Sequence, residues 1–197
     1  SFLLQAKDSG AQVIGLSNAG VDTVNSLKQA AEFGIGRDGK QRLASLLMLI
    51  TDVKATGLDA AQGLTVALPF YWDRNDASRA FAKRFAEKMG RPPTMYHAGM
   101  YSAVTHYLKA VRAAGTDETA AVLAKMRELP VEDFMGKARI REDGKVLRDM
   151  HVFVVKAPSE SRGDWDLLKE VSTIPAEEAA LPLSASECPH ARSAARG

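Results

Sequence analysis

The 197-residue chain carries one cysteine, Cys188, so it has no internal disulfide framework and no multi-cysteine zinc site of its own. It has no excess of either charge. Lys+Arg 26 stand against Asp+Glu 24 with the signs interspersed, so the sequence pI of about 8.7 conceals no basic stripe of the kind that grips phosphate backbones, and nucleic acid is not an expected partner. Long hydrophobic runs are missing too: Leu46 to Ile50 and Thr65 to Phe70 fall far short of the roughly 20 residues that cross a bilayer. Four histidines, His97, His106, His151 and His190, lack i, i+4 pairing and nearby carboxylate runs, which argues against a metal site. There is no Gly-x-Ser-x-Gly motif and no Cys/His arrangement, so a hydrolase has no support. What remains is a chain 46% apolar and 25% charged, enough for one large domain or two small ones.

The first residues, Ser1-Phe2-Leu3-Leu4-Gln5-Ala6-Lys7, read as the middle of an amphipathic helix with neither initiator methionine nor signal peptide, so the chain is expected to be truncated at its start. Val13-Ile14-Gly15-Leu16 reads as a buried strand. Ser17 or Asn18 is placed to cap a helix with the stripe Val21, Val24, Leu27 and Ala31, ended by Gly34. Leu43 to Ile50 reads as a second strand, Val53 to Gln62 as a helix and Thr65 to Leu68 as a third strand. This alternation predicts an α/β fold, a parallel sheet with helices on both faces. From Asp73 helices follow in series: Phe81, Phe85 and Met89 mark one face, Tyr101, Val104, Leu108 and Val111 a second, and Val122, Met126 and Leu129 a third. Asp143-Gly144 between two extended runs is locally a hairpin signal, Trp165 to Val171 can add an edge strand, and Ser184 to Gly197 reads as a loose tail.

Gly34-Ile35-Gly36-Arg37-Asp38-Gly39 matches the letter of the dinucleotide fingerprint, but that chemistry needs the glycines to follow a strand and open a helix. Here a helix precedes and a strand follows, so the segment reads as a surface loop. Asp52, Asp59, Asp73 and Asp76 lie at loop or helix-start positions and read as caps. His97, between Tyr96 and Tyr101 at a helix start, is either a surface residue or a half-buried donor to a ligand. The sharpest feature is Phe70-Tyr71-Trp72-Asp73 at the carboxyl end of a strand, where rings plug the sheet edge or line a pocket. Ligands settle outside the carboxyl ends of parallel strands. The three ends, Asn18-Ala19-Gly20, Thr51-Asp52 and Tyr71-Trp72, would suit a small polar or aromatic ligand; the competing reading is loop residues that cap helices and fill space.

The run Val13 to Leu16 with Phe33-Gly34, Ala61-Gln62-Gly63-Leu64, Phe70-Tyr71-Trp72-Asp73, Tyr101-Ser102-Ala103-Val104, Ala114-Gly115-Thr116-Asp117 and Ile140-Arg141-Glu142-Asp143-Gly144 resembles, in order and spacing, the branched-chain-amino-acid type of ABC-transporter substrate-binding protein, up to about residue 173. The Phe-Tyr-Trp-Asp variant and Pro158-Ser159-Glu160-Ser161 resemble a subgroup of soil proteobacteria, some of whose members bind aromatic acids. The resemblance implies a three-layer periplasmic-binding-protein type I fold of two α/β lobes, of which this chain matches the second half. Residues 1–70 would be a lobe-two segment, 71–148 a helical return into lobe one, 149–173 a final passage into lobe two and 174–197 the tail. The family places a crossover near Asp143-Gly144, and the longer connection through Val146-Leu147-Arg148-Asp149 favours it over the hairpin.

By the same resemblance, ligand contacts fall at Asn18-Ala19, at Thr51-Asp52 and at Tyr96 or His97, beside the Tyr71 and Trp72 already singled out. Asp52 could pair with a ligand ammonium, but Thr51 aligns equally well, which leaves amino-acid and non-amino-acid ligands both open. The implied function is a non-enzymatic, cofactor-free periplasmic receptor that passes a small amino acid or aromatic carboxylate to an inner-membrane ABC permease. Alternatives are a nucleotide-dependent α/β enzyme using the residue 34–39 loop, or a ligand-sensing domain. The apolar helix faces between residues 76 and 129 call for a missing first half of the protein or for self-association.

Overall fold

The structure, a computed structural model, describes residues 2–37 and 39–187; Cys188 and His190 lie outside the described residues. Its contacts divide the chain into two units, Ser1–Leu68 with His151–Ser172, and Pro69–Met150 with Thr173–Gly197.

The first unit is built on a five-stranded sheet of order β1-β2-β3-β7-β8, made by β1 (Val13–Leu16), β2 (Arg42–Ser45), β3 (Thr65–Leu68), β7 (Met150–Val155) and β8 (Leu168–Ile174). β1, β2 and β3 are parallel, as the strand-helix alternation predicts, and β7 joins β3 antiparallel with Val66 opposite Phe153. Between the parallel strands run α2 (Val21–Glu32), α3 (Ile50–Thr56) and α4 (Leu58–Ala61), with α1 (Phe2–Asp8) preceding them. Leu27, Met48, Val53, Leu64, Phe153 and Val155 form the driest part of the core.

Three sequence expectations need correction here. The second strand stops at Ser45 rather than running to Ile50, because Leu46 is 71% exposed and Ile50 already opens α3. The helix expected over Val53 to Gln62 is two helices, broken at Gly57, whose φ of 85° lies in the region that side-chain-bearing residues avoid. Neither Ser17 nor Asn18 caps α2. Gly20 occupies the N-cap, and the Asn18 side chain is engaged with Thr23 and Ser26 instead.

In the second unit, α5 (Asp76–Met89) is capped by Asn75, whose side-chain oxygen accepts from the Ser78 N–H at 2.8 Å, and is ended by Gly90. α6 (Met95–Ala114) ends at Gly115, and Glu118 caps α7 (Thr119–Glu128) by accepting from the N–H groups of Ala120 and Ala121. A three-stranded antiparallel sheet follows, made by β4 (Val131–Asp133), β5 (Gly136–Ile140) and β6 (Val146–Arg148). Asp143-Gly144 therefore sits in a true hairpin turn, and the crossover preferred from the resemblance does not occur there. The turn is fixed by Arg141, which donates to both Asp143 carboxylate oxygens at 2.9 and 2.7 Å and holds that carboxyl at about 2, below its ordinary 3.8. Only after β6 does the chain enter β7.

Candidate functional site

In the first unit the loops after β1 and β2 lie side by side, because the strands are parallel neighbours and the Leu46 N–H donates to the Leu16 carbonyl at 3.0 Å. Asn18 is half-buried and held rigidly. Its oxygen accepts from the Thr23 hydroxyl at 3.0 Å, and its amide donates to the Ser26 hydroxyl at 2.9 Å. Ala19 beside it is exposed. Thr51 and Asp52 lie in the first turn of α3, both half-buried. One Asp52 oxygen, Oδ2, accepts from the Leu49 N–H at 3.0 Å, so the capping role expected of this residue is present. Its Oδ1 and the Thr51 hydroxyl make no hydrogen bond among the described residues and remain open to a donor or acceptor. Leu46 and Leu47, both exposed at the end of β2, are apolar neighbours of this rim that the sequence reading absorbed into a strand. Their signal was an apolar pair just past the strand's last alternating position.

In the second unit, Tyr71 is buried and its ring lies 5.9 Å from that of Trp72. Phe70 plugs the unit's core edge-on to Phe81 and Phe134, which stack on each other at 3.9 Å, and Trp72 packs against that cluster. Of the two readings for this aromatic run, filling space therefore describes Phe70. Tyr96 is exposed on the first turn of α6. His97 accepts at Nδ1 from the Thr94 N–H at 3.1 Å, with the Thr94 hydroxyl 2.9 Å away, and its ring lies 4.8 Å from Phe85. A backbone N–H can only donate, so the neutral ring carries its proton on Nε2. Burial, aided by the positive charge of Arg91, pushes its pKa down and favours that neutral form. His97 is thus a helix cap whose second nitrogen is a donor.

Asn18 and Ala19 thus lie in the loop after β1, Thr51 and Asp52 in the first turn of α3 after the β2 loop, Tyr71 pairs with Trp72, and Tyr96 and His97 stand at the start of α6. The glycine-rich residues 34–37 and 39 connect α2 to β2, with Gly34 and Gly36 at positive φ, the reverse of the strand-to-helix order a pyrophosphate loop needs. No group of three or more metal-ligating side chains occurs among the described residues, and no described helix is long and apolar enough to cross a membrane.

The family model described as periplasmic binding protein matches residues 1–163. A periplasmic binding protein from Burkholderia mallei is 46% identical over 96% of this chain and 50% of its own, with a TM-score of 0.88. A branched-chain amino acid ABC transporter periplasmic ligand-binding protein from Burkholderia xenovorans LB400 is 42% identical over 96% of this chain and 51% of its own, with a TM-score of 0.89. An amino acid ABC transporter substrate-binding protein from Pseudomonas fluorescens Pf-5, 24% identical over 95% of this chain and 50% of its own with a TM-score of 0.81, shares the fold. No curated protein sequence matches. The chain spans about half the length of these solved structures. Matched over most of its length and sharing the type I fold, the chain belongs to the periplasmic binding protein family.

Proposed function

We propose that this chain is the ligand-binding second half of a periplasmic solute receptor that serves an ABC importer. It holds a small amino acid or aromatic carboxylate between two lobes and presents the closed form to a permease in the inner membrane. The observation that carries this reading is the 42% identity, over nearly the whole chain, to a protein described as a branched-chain amino acid ABC transporter ligand-binding protein. Residues 1–70 and 149–173 would serve one lobe, 71–148 the other, and 174–197 a tail. Asn18, Ala19, Thr51 and Asp52 would meet the ligand from the first group, and Tyr71, Trp72, Tyr96 and His97 from the second. The chemistry supports the assignment: Asn18 is preorganised by two hydrogen bonds, Thr51 and Asp52 keep oxygen atoms open, and His97 offers Nε2–H to an anion. No bond is made or broken and no cofactor is needed.

Titrating the purified chain with aromatic carboxylates, branched amino acids and NAD while following Trp72 and Trp165 fluorescence tests this directly. A saturable change with a carboxylate or amino acid, weakened at least about tenfold by Thr51→Val with Asp52→Ala, is expected. Saturation by NAD alone would overturn the receptor reading in favour of a nucleotide-binding enzyme.

The outer face of α6 exposes Met100, Tyr101, Val104 and Leu108, a contiguous apolar surface. We assign it to packing against the first half of the fold that the solved relatives contain. Without that half the face should pair with a second copy, so size-exclusion chromatography of the isolated chain is expected to show self-association that Met100→Lys with Leu108→Lys abolishes. A sharp monomer peak with cooperative melting for the unaltered chain would contradict this.

A further inference from the structure

The second unit holds a cavity of about 480 Å³ among α6, α7, the three-stranded sheet and residues 176–180, and none of the eight candidate ligand-binding residues lines it. That volume falls within the roughly 300–1,000 Å³ of small-molecule sites. The space exists because the elements around it carry short side chains: Gly99 and Ala103 on α6, and alanines 176, 179 and 180 on the returning segment. A Cβ placed on Gly99 would meet nothing within 4 Å. Much of the remaining wall is methionine, with Met95, Met126, Met135 and Met150 contributing unbranched, polarisable side chains that conform to an aromatic guest.

Ser102, His106, Lys145 and Arg148 are the polar side chains on the cavity wall, and Asp133 lies behind it. Ser102, Asp133 and Arg148 close on one another, Ser102 donating to Asp133 and Arg148 reaching both, so the cavity's buried guanidinium is already paired. His106 is different. It is 4% exposed, and its Nε2 lies 2.8 Å from the Met126 carbonyl. A carbonyl only accepts, so Nε2 carries the proton and Nδ1 is an acceptor, which has no hydrogen-bond partner among the described residues. Lys145 adds a cationic side chain to the same wall.

We propose that this cavity is a second ligand site, taking a small neutral aromatic molecule with one N–H or O–H donor, the donor on His106 Nδ1 and the ring among the methionines. The site is independent of the receptor reading.

The test is methyl NMR of the full chain labelled at its methionines, titrated with indole and with 1-methylindole, which lacks the donor. Indole is expected to shift the Met95, Met126, Met135 and Met150 signals saturably, leave Met48 in the first unit unchanged, and bind at least about tenfold more tightly than 1-methylindole. His106→Phe keeps the bulk of the ring but removes Nδ1, and should equalise the two probes. Ala179→Leu should fill the space and abolish both sets of shifts, with Met48 reporting that the fold persists. Equal affinity of the unaltered protein for the two probes, shifts confined to Met100 on the outer face of α6, or no saturable shift at the four methionines would overturn the proposal.

Discussion

Replacing Phe153 by alanine is expected to lower the stability of the first unit by about 3–5 kcal/mol, the range for removing a large aromatic side chain from a core. Phe153 is 1% exposed and stands in β7, opposite Val66 of β3, at the antiparallel joint between the parallel strands and the rest of the sheet. The loss combines the ring's transfer free energy with a cavity that neighbouring strands cannot collapse to fill, since their register is fixed by hydrogen bonds on both sides. Against a typical domain stability of about 5–15 kcal/mol this is a large fraction, so a fall in the denaturant midpoint with little change in slope is expected. A loss below about 1 kcal/mol would mean that β7 does not pack against β3 as described here.

Asp166→Ala should cost about 3 kcal/mol, because it strands a charge rather than a contact. The Asp166 carboxylate accepts from Lys156 Nζ, from the Arg162 N–H at 3.0 Å and from Arg162 Nε at 3.2 Å, and thereby ties down the connection between β7 and β8. Lys156 and Asp166 are both largely buried, whereas the Arg162 side chain is mostly exposed and contributes little. Burial pushes the Asp166 pKa up, but the donors from Lys156 and Arg162 together outweigh it and hold the group below its ordinary 3.8. The unfolded state therefore binds the proton more readily. The pair's contribution is fully present above the unfolded value and disappears as pH falls through the folded one. Thermal melts across that acid range should show a shallower decline for Asp166→Ala than for the unaltered chain. Adding Lys156→Met to Asp166→Ala should recover most of the loss at neutral pH, and an additive double variant would show that the stranded lysine is not the cause.

Much of the fold was legible wherever a local signal was also the tertiary one. Val13 to Leu16 and Thr65 to Leu68 coincide with β1 and β3 because short apolar runs bounded by turn residues have no helical alternative. Gly90 and Gly115 end α5 and α6, since both sit in the left-handed region that helix ends favour. Leu46 to Ile50 misled because apolarity does not reveal exposure: Leu46 and Leu47 face outward, and Ile50 belongs to a helix. At Asp143-Gly144 the local turn chemistry was right, and preferring the family-level crossover was the error. The two requirements are compatible, because β6 is short and the chain leaves for β7 immediately after it.

The candidate site was legible only in part. Strand ends can be named from sequence, and Asn18 and Ala19 do follow the carboxyl end of β1, whereas Thr51 and Asp52 lie in the first turn of α3, beyond the loop that follows β2. The state of each side chain was not, because hydrogen bonds such as those from Thr23 and Ser26 to Asn18, or from Thr94 to His97, depend on rotamers that periodicity does not encode. The aromatic run was harder still: its period does not distinguish the core plug Phe70 from Trp72 at the cluster's margin.

The most direct test of the central claim is mass spectrometry of the small molecules released when the purified protein is denatured. A receptor of this kind should release an amino acid or an aromatic carboxylate that rebinds the refolded protein and depends on Thr51 and Asp52. Release of a nucleotide, or of nothing that rebinds, would contradict it.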